Sequence, residues 1–161
     1  MCAGANAVKL EGIHGHEDVV KGIVESGVPV MGHIGLTPQS IHQLGGFRVQ
    51  GKDSKAADDL LVQAHNLESA GCFALVLECV PSCVALKISS ALRIPTIGIG
   101  AGVDADGQVL VLQDLLGMNA GFSPKFLKTY LNGHGLLLDA LNRFHHEVVE
   151  KKFPSGSESY S

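Results

Sequence analysis

Several features that narrow the function of a protein are missing from this sequence. It has no tryptophan, no low-complexity tract, and no apolar run near the roughly 20 residues that a membrane span requires. The formal net charge is −4 and there is no basic stripe, which argues against nucleic acid as a partner. With 45% hydrophobic and 17% charged residues, the composition is that of a soluble α/β protein with no membrane partner.

The cysteines indicate a reducing compartment. They form neither a CxxC zinc pair nor the framework of a disulfide-rich domain, and the first residues lack the charged and apolar regions of a secretory signal. We therefore predict a cytoplasmic location, with reduced thiols that mostly act as small apolar side chains. The four are Cys2, Cys72, Cys79 and Cys83.

Apolar runs bounded by glycine or proline alternate with amphipathic segments. The predicted strands cover residues 7–11, 28–35, 74–81, 94–100 and 108–112, and the predicted helices cover residues 16–26, 55–70, 82–92, 124–131 and 136–150. Strands that alternate with helices imply a parallel sheet with right-handed crossovers. We expect one domain over residues 1–152, a long binding loop at 36–52, and a loose polar tail at 153–161.

The run from Ala74 to Leu77 ends in a carboxylate, Glu78. Four successive apolar residues suit a central strand that is buried on both faces. A glutamate at the end of such a strand either caps the following helix, meets solvent, or lies half-desolvated in a site where it can move protons. The strand alone favours none of these interpretations.

Polar residues also lie near the ends of three of the other predicted strands. In parallel α/β folds, ligands bind at the carboxyl ends of the strands, so this recurrence predicts one shared site. A phosphate loop at residues 98–102 is a weaker prediction, because the glycines lack the GxGxxG spacing. The residues at the strand ends are Lys9, Glu11, His33, Glu78 and Asp114.

Two pairs of histidines offer a second possible site. His14 with His16, and His145 with His146, have the spacing of potential metal ligands. Neither pair has a supporting cysteine or carboxylate at ligand spacing, so we interpret both as surface histidines.

Six blocks of sequence are distributed over nearly the whole chain: residues 8–12 (VKLEG), 32–40 (GHIGLTPQS), 45–51 (GGFRVQG), 75–81 (LVLECVP), 94–102 (IPTIGIGAG) and 106–111 (DGQVLV). Together, and in this order, they resemble the ketopantoate hydroxymethyltransferase family. The resemblance implies a (β/α)8 TIM barrel of the phosphoenolpyruvate-binding superfamily. It also implies transfer of a hydroxymethyl group from 5,10-methylenetetrahydrofolate to 3-methyl-2-oxobutanoate, giving 2-dehydropantoate for coenzyme A synthesis.

The resemblance also assigns residue roles. It implies that Glu78 is the catalytic proton acceptor and that Lys9 and His33 bind the 2-oxo acid. Glu11 corresponds to the glutamate beside the divalent metal, usually Mg²⁺. Members of the family form homo-oligomers.

The chain departs from the family pattern at two points. Ile13 stands where the family usually has a second glycine. Only about five strands are predicted, matching the family's fourth to eighth, whereas a closed barrel has eight strands and about 250 residues. The family's two metal-binding aspartates lie on earlier strands, and Met1 resembles an internal methionine. An alternative is therefore a non-catalytic fragment or assembly module that lacks those aspartates.

Overall fold

The computed structural model describes residues 4–160, which form two compact units. The first ends at Val109 and the second begins at Leu110. No helix in the described part of the chain is long and apolar enough to cross a bilayer. Whether residues 1–152 act as one domain stays a prediction.

The first unit is a five-stranded parallel sheet in which helices connect the first four strands and a loop connects the fourth to the fifth. The strands lie side by side in chain order, which is the order of strands in a (β/α) barrel, so the predicted partial barrel of the α/β class is confirmed. The strands are β1 (Val8–Glu11), β2 (Val30–Gly35), β3 (Ala74–Glu78), β4 (Thr96–Ile99) and β5 (Gly107–Gln108). The helices are α1 (Glu17–Glu25), α2 (Ser54–Ser69) and α3 (Ser82–Ala91), and a 3-10 helix spans Pro38–Ser40.

One face of this sheet is covered by the helices. Leu75 and Leu77 of β3 are fully buried and pack in one core with Leu67 of α2. Burying each such leucine contributes about 1.5–3 kcal/mol. Gly32 lets α2 approach β2 closely, because a Cβ there would lie 2.9 Å from a Leu67 methyl carbon.

The strand register places the predicted site residues on the opposite face. Glu11 pairs with His33, and His33 pairs with Val76, two residues before Glu78. Because side chains alternate along a strand, Lys9, Glu11, His33 and Glu78 all project from one face of the sheet.

The prediction for the fifth strand is wrong in its extent. The strand contains only Gly107 and Gln108, and one further ladder hydrogen bond runs from the Val109 N–H to the Gly98 carbonyl. A short helix, α4 (Leu112–Leu115), starts where the predicted strand was to end, since a short apolar run does not distinguish strand from helix. Asp114 therefore lies in this helix and not at a strand end.

The second unit is built around a longer helix, α5 (Gly133–Val149). The helix predicted at 124–131 is absent from the described structure. The segment has one internal turn bond, from the Leu127 N–H to the Pro124 carbonyl, and the backbone of Tyr130 and Gly133 donates to the carbonyls of Leu115 and Leu116 at the end of α4. The predicted loose tail contains a 3-10 helix, Gly156–Glu158, with a capping box formed by Ser155.

Candidate functional site

The carboxyl ends of β1, β2 and β3 bring four of the five predicted site residues into contact. Lys9 Nζ lies 3.1 Å from His33 Nδ1 and 3.8 Å from Glu11 Oε1. On the other side of the imidazole, His33 Nε2 lies 3.2 Å from Glu78 Oε2. The four side chains therefore form a continuous row across three neighbouring strands.

Exposure increases from the centre of this row outwards. The His33 side chain is 1% exposed, those of Glu11 and Glu78 are 9% and 17% exposed, and that of Lys9 is 47% exposed. The row thus presents an accessible ammonium group and a partly accessible carboxylate, while the imidazole that separates them is shielded from water.

The contact with Lys9 indicates which nitrogen of His33 carries the proton. An ammonium group can only donate, so the hydrogen bond requires Nδ1 to accept and assigns the proton to Nε2. His33 Nε2 is also the one buried side-chain nitrogen or oxygen within residues 4–160 that lacks a hydrogen-bond partner. Glu78 Oε2 is close enough to accept from it, but the two groups are not aligned for a hydrogen bond.

Glu78 is held by the backbone on both sides. Its carbonyl accepts from the Leu36 N–H, and the next residue, Cys79, donates its N–H to the Ile99 carbonyl. Cys79 has a φ of 49°, so the chain turns sharply after the carboxylate. Burial raises the pKa of the Cys79 thiol, and the neighbouring Glu78 charge raises it further.

Glu11 has contacts through both carboxylate oxygens. Oε2 accepts a 2.9 Å hydrogen bond from the Gln39 backbone N–H, while Oε1 lies 3.7 Å from His33 Nδ1 and near the Lys9 ammonium group. The sequence did not predict that Gln39 contacts the site, because its contact is a backbone N–H, which every residue except proline has.

The described residues do not by themselves fit a magnesium site. Across residues 4–160 there is no group of three or more His, Cys, Asp or Glu side chains arranged to hold a metal ion. Glu11 supplies a single carboxylate, and the cation of Lys9 beside it opposes the approach of a second cation.

A cavity of about 350 Å³ adjoins this row at Glu11. Its lining includes His14 and Asp59, whose side chains are 3.2 Å apart, so His14 bonds to a carboxylate on α2. Burial works against ionisation of Asp59, but hydrogen bonds from His14 and Gln63 outweigh it and lower its pKa. Lys9, His33 and Glu78 are not part of this lining.

Comparison with known proteins identifies the family. A family model described as ketopantoate hydroxymethyltransferase matches residues 1–156. The chain belongs to the ketopantoate hydroxymethyltransferase family. Its fold, the order of its strands and the row of polar strand ends are thus features of a member of this family.

The similar proteins share one name, 3-methyl-2-oxobutanoate hydroxymethyltransferase. The protein from Bdellovibrio bacteriovorus is 63% identical over 161 residues, which is all of this chain and 61% of the relative. One from Francisella tularensis subsp. tularensis is 55% identical over 98% of this chain and 60% of its own length. The chain thus spans about 60% of the length of these relatives.

Proposed function

We propose that this ketopantoate hydroxymethyltransferase family chain carries the base and part of the 2-oxo acid site of a 3-methyl-2-oxobutanoate hydroxymethyltransferase. The single observation that best supports this is the row Lys9–His33–Glu78, with contacts of 3.1 and 3.2 Å. It combines a cation for an anionic substrate with a carboxylate that can accept a proton.

Lys9 is proposed to bind the substrate anion. Its side chain is 47% exposed, so the ammonium group can reach the carboxylate or the 2-oxo oxygen of 3-methyl-2-oxobutanoate. Negative charge moves onto the 2-oxo oxygen when the C3 proton leaves, and a fixed ammonium group stabilises that charge more than it stabilises the neutral ketone.

Glu78 is proposed to take the C3 proton, and His33 is proposed to position the Glu78 carboxylate. The C3–H bond breaks, its proton passes to a Glu78 oxygen, and the electron pair forms the enolate. The enolate carbon then bonds to the methylene carbon of 5,10-methylenetetrahydrofolate while one of its two C–N bonds breaks. A water oxygen replaces the second nitrogen on that carbon and becomes the new hydroxyl group. The two nitrogens of the released tetrahydrofolate take up one proton from Glu78 and one from the water molecule. His33, whose Nε2 lies 3.2 Å from Glu78 Oε2, orients the carboxylate for removal of the C3 proton.

The family resemblance also implies Mg²⁺, which would stabilise the enolate oxygen when bound. The described residues do not complete a site for it, so no step proposed here passes through the metal. The folate co-substrate and the homo-oligomer likewise stay proposals, and the cytoplasmic location stays a prediction.

Substrate binding tests this function directly. Isothermal titration calorimetry of 3-methyl-2-oxobutanoate into the chain is expected to show binding that Lys9→Ala weakens about tenfold or more, because a charge-assisted contact is lost. The matched control is Lys21→Ala, because Lys21 lies on α1 and, among residues 4–160, forms an ion pair with Glu25 alone. Absence of binding in the unmutated chain, together with self-association in sedimentation, would instead support the assembly-module alternative.

A further inference from the structure

The long loop after β2 is fixed to the sheet at three points. Near its start, the Leu36 N–H donates to the Glu78 carbonyl, and near its end the Gln50 N–H donates to the Cys79 carbonyl. Between these, the Gln39 N–H donates to Glu11 Oε2 at 2.9 Å. Two attachments are therefore to the end of β3, and the third is to the end of β1.

Glu11 is the only partner that the described structure gives to the Gln39 N–H. Gln39 is exposed, and it belongs to a 3-10 helix whose other nearby bonds are local, from Ser40 to the Thr37 carbonyl and from Ile41 to the Pro38 carbonyl. The Glu11 carboxylate, in contrast, is only 9% exposed, so it makes this bond where competition from water is weak.

The second oxygen of Glu11 faces the side chains of Lys9 and His33. Oε1 lies 3.8 Å from Lys9 Nζ and 3.7 Å from His33 Nδ1. A carboxylate in this place holds the ammonium group beside the imidazole. We propose that Glu11 is a positioning residue that ties the loop to the Lys9–His33 pair, and that it is not a metal ligand. This inference concerns loop order, so it does not depend on the identity of the substrate.

Two substitutions of Glu11 separate this role from a general structural one. Glu11→Gln keeps a side-chain oxygen that can accept from the Gln39 N–H, whereas Glu11→Ala removes it. Hydrogen exchange followed by NMR is expected to show the Gln39 amide about tenfold or more less protected in Glu11→Ala, with most of the protection kept in Glu11→Gln. The Ser40 amide is the internal control, because its acceptor is the Thr37 carbonyl.

Glu25→Ala provides the control for loss of a glutamate elsewhere. Glu25 ends α1 and contacts Lys21, so its removal is expected to leave the Gln39 amide unchanged. Equal protection of Gln39 in Glu11→Ala and in the unmutated chain would overturn the proposal. If Glu11→Ala does not fold, Glu11→Gln alone tests the proposal. Loss of protection of the Gln39 amide in folded Glu11→Gln would contradict a side-chain oxygen at position 11 as its acceptor.

A titration with Mg²⁺ alone tests the second half of the proposal. If Glu11 acts only through Gln39, Lys9 and His33, the Gln39 amide resonance is expected to move no more in the unmutated chain than in Glu11→Gln. A saturable shift in the unmutated chain that Glu11→Gln abolishes would show that Glu11 binds the metal, and would overturn this part of the proposal.

Discussion

Glu78→Gln is the substitution that best isolates the proposed base. It replaces one carboxylate oxygen by an amide nitrogen of nearly the same size, at the end of β3 where backbone bonds to Leu36 and Ile99 hold the chain. The amide still offers an oxygen to His33 Nε2, which lies 3.2 Å from the present carboxylate. The fold is therefore expected to survive, with a stability change of about 1 kcal/mol or less.

The expected effect on proton transfer is much larger. A positioned general base contributes about 10²–10⁴-fold to a rate, and an amide cannot accept the C3 proton. Exchange of the C3 proton of 3-methyl-2-oxobutanoate with D₂O reports this step without any folate. In the proton NMR spectrum, the C3 signal disappears and the methyl doublet collapses to a singlet. We expect this exchange to fall by about 10²–10⁴-fold in Glu78→Gln.

The comparison is made in two contexts. The first is the chain as it is, and the second is a chimaera in which the chain replaces its matching part of the Bdellovibrio relative. Glu25→Gln serves as the matched control, because Glu25 is an exposed glutamate on α1. A Glu78→Gln variant that exchanges the C3 proton as fast as the unmutated protein in the same context would refute Glu78 as the base.

Two further predictions concern the framework of the site. Gly35→Ala is expected to cost about 3 kcal/mol in urea unfolding, because Gly35 has a φ of 93° and an added Cβ would overlap the Glu78 carbonyl. The control is Gly22→Ala on α1, where the added Cβ would meet no atom within 4 Å, so the free energy of unfolding should not fall. An equal loss of stability in the two variants would contradict the prediction. Hydrogen bonds from the Thr96 N–H and hydroxyl lower the pKa of Asp106 in the folded protein. Ionised Asp106 therefore stabilises the fold at any pH above the pKa of this group in the unfolded chain, and that stabilisation is lost as the pH falls through the pKa in the folded protein. Asp106→Asn should therefore lower the urea midpoint at neutral pH and not at strongly acidic pH, and a pH-independent difference would contradict it.

The buried framework could be predicted from sequence because its signals are local. The apolar run from Ala74 to Leu77, stopped by Pro81, corresponds to β3, and the amphipathic segment after residue 54 corresponds to α2. In a parallel sheet the carboxyl ends of strands meet at one edge. The strand patterns therefore predicted that Lys9, His33 and Glu78 lie near one another.

The errors lie where the signals are ambiguous or not local. The apolar residues at 109–112 fit a strand or a helix equally well, so Asp114 was assigned to a strand end although it lies in α4. The contact between Glu11 and Gln39 spans 28 residues and uses a backbone N–H, which every residue except proline has. The role of Glu11 beside the metal is implied by the family resemblance and stays a prediction, whereas its bond to the Gln39 N–H had no signal in the sequence.

The register of the sheet connects the fold to the proposed chemistry. Neighbouring strands are about 4.8 Å apart, so a side chain on β2 can reach both β1 and β3 only when all three project from the same face. His33 meets this condition because it pairs with Glu11 on one side and with Val76 on the other. A slip of β3 by one residue would direct Glu78 into the leucine layer beneath the helices and turn Leu77 towards His33. The burial of Leu75 and Leu77 opposes that slip, so the hydrophobic core also fixes where the proposed base lies.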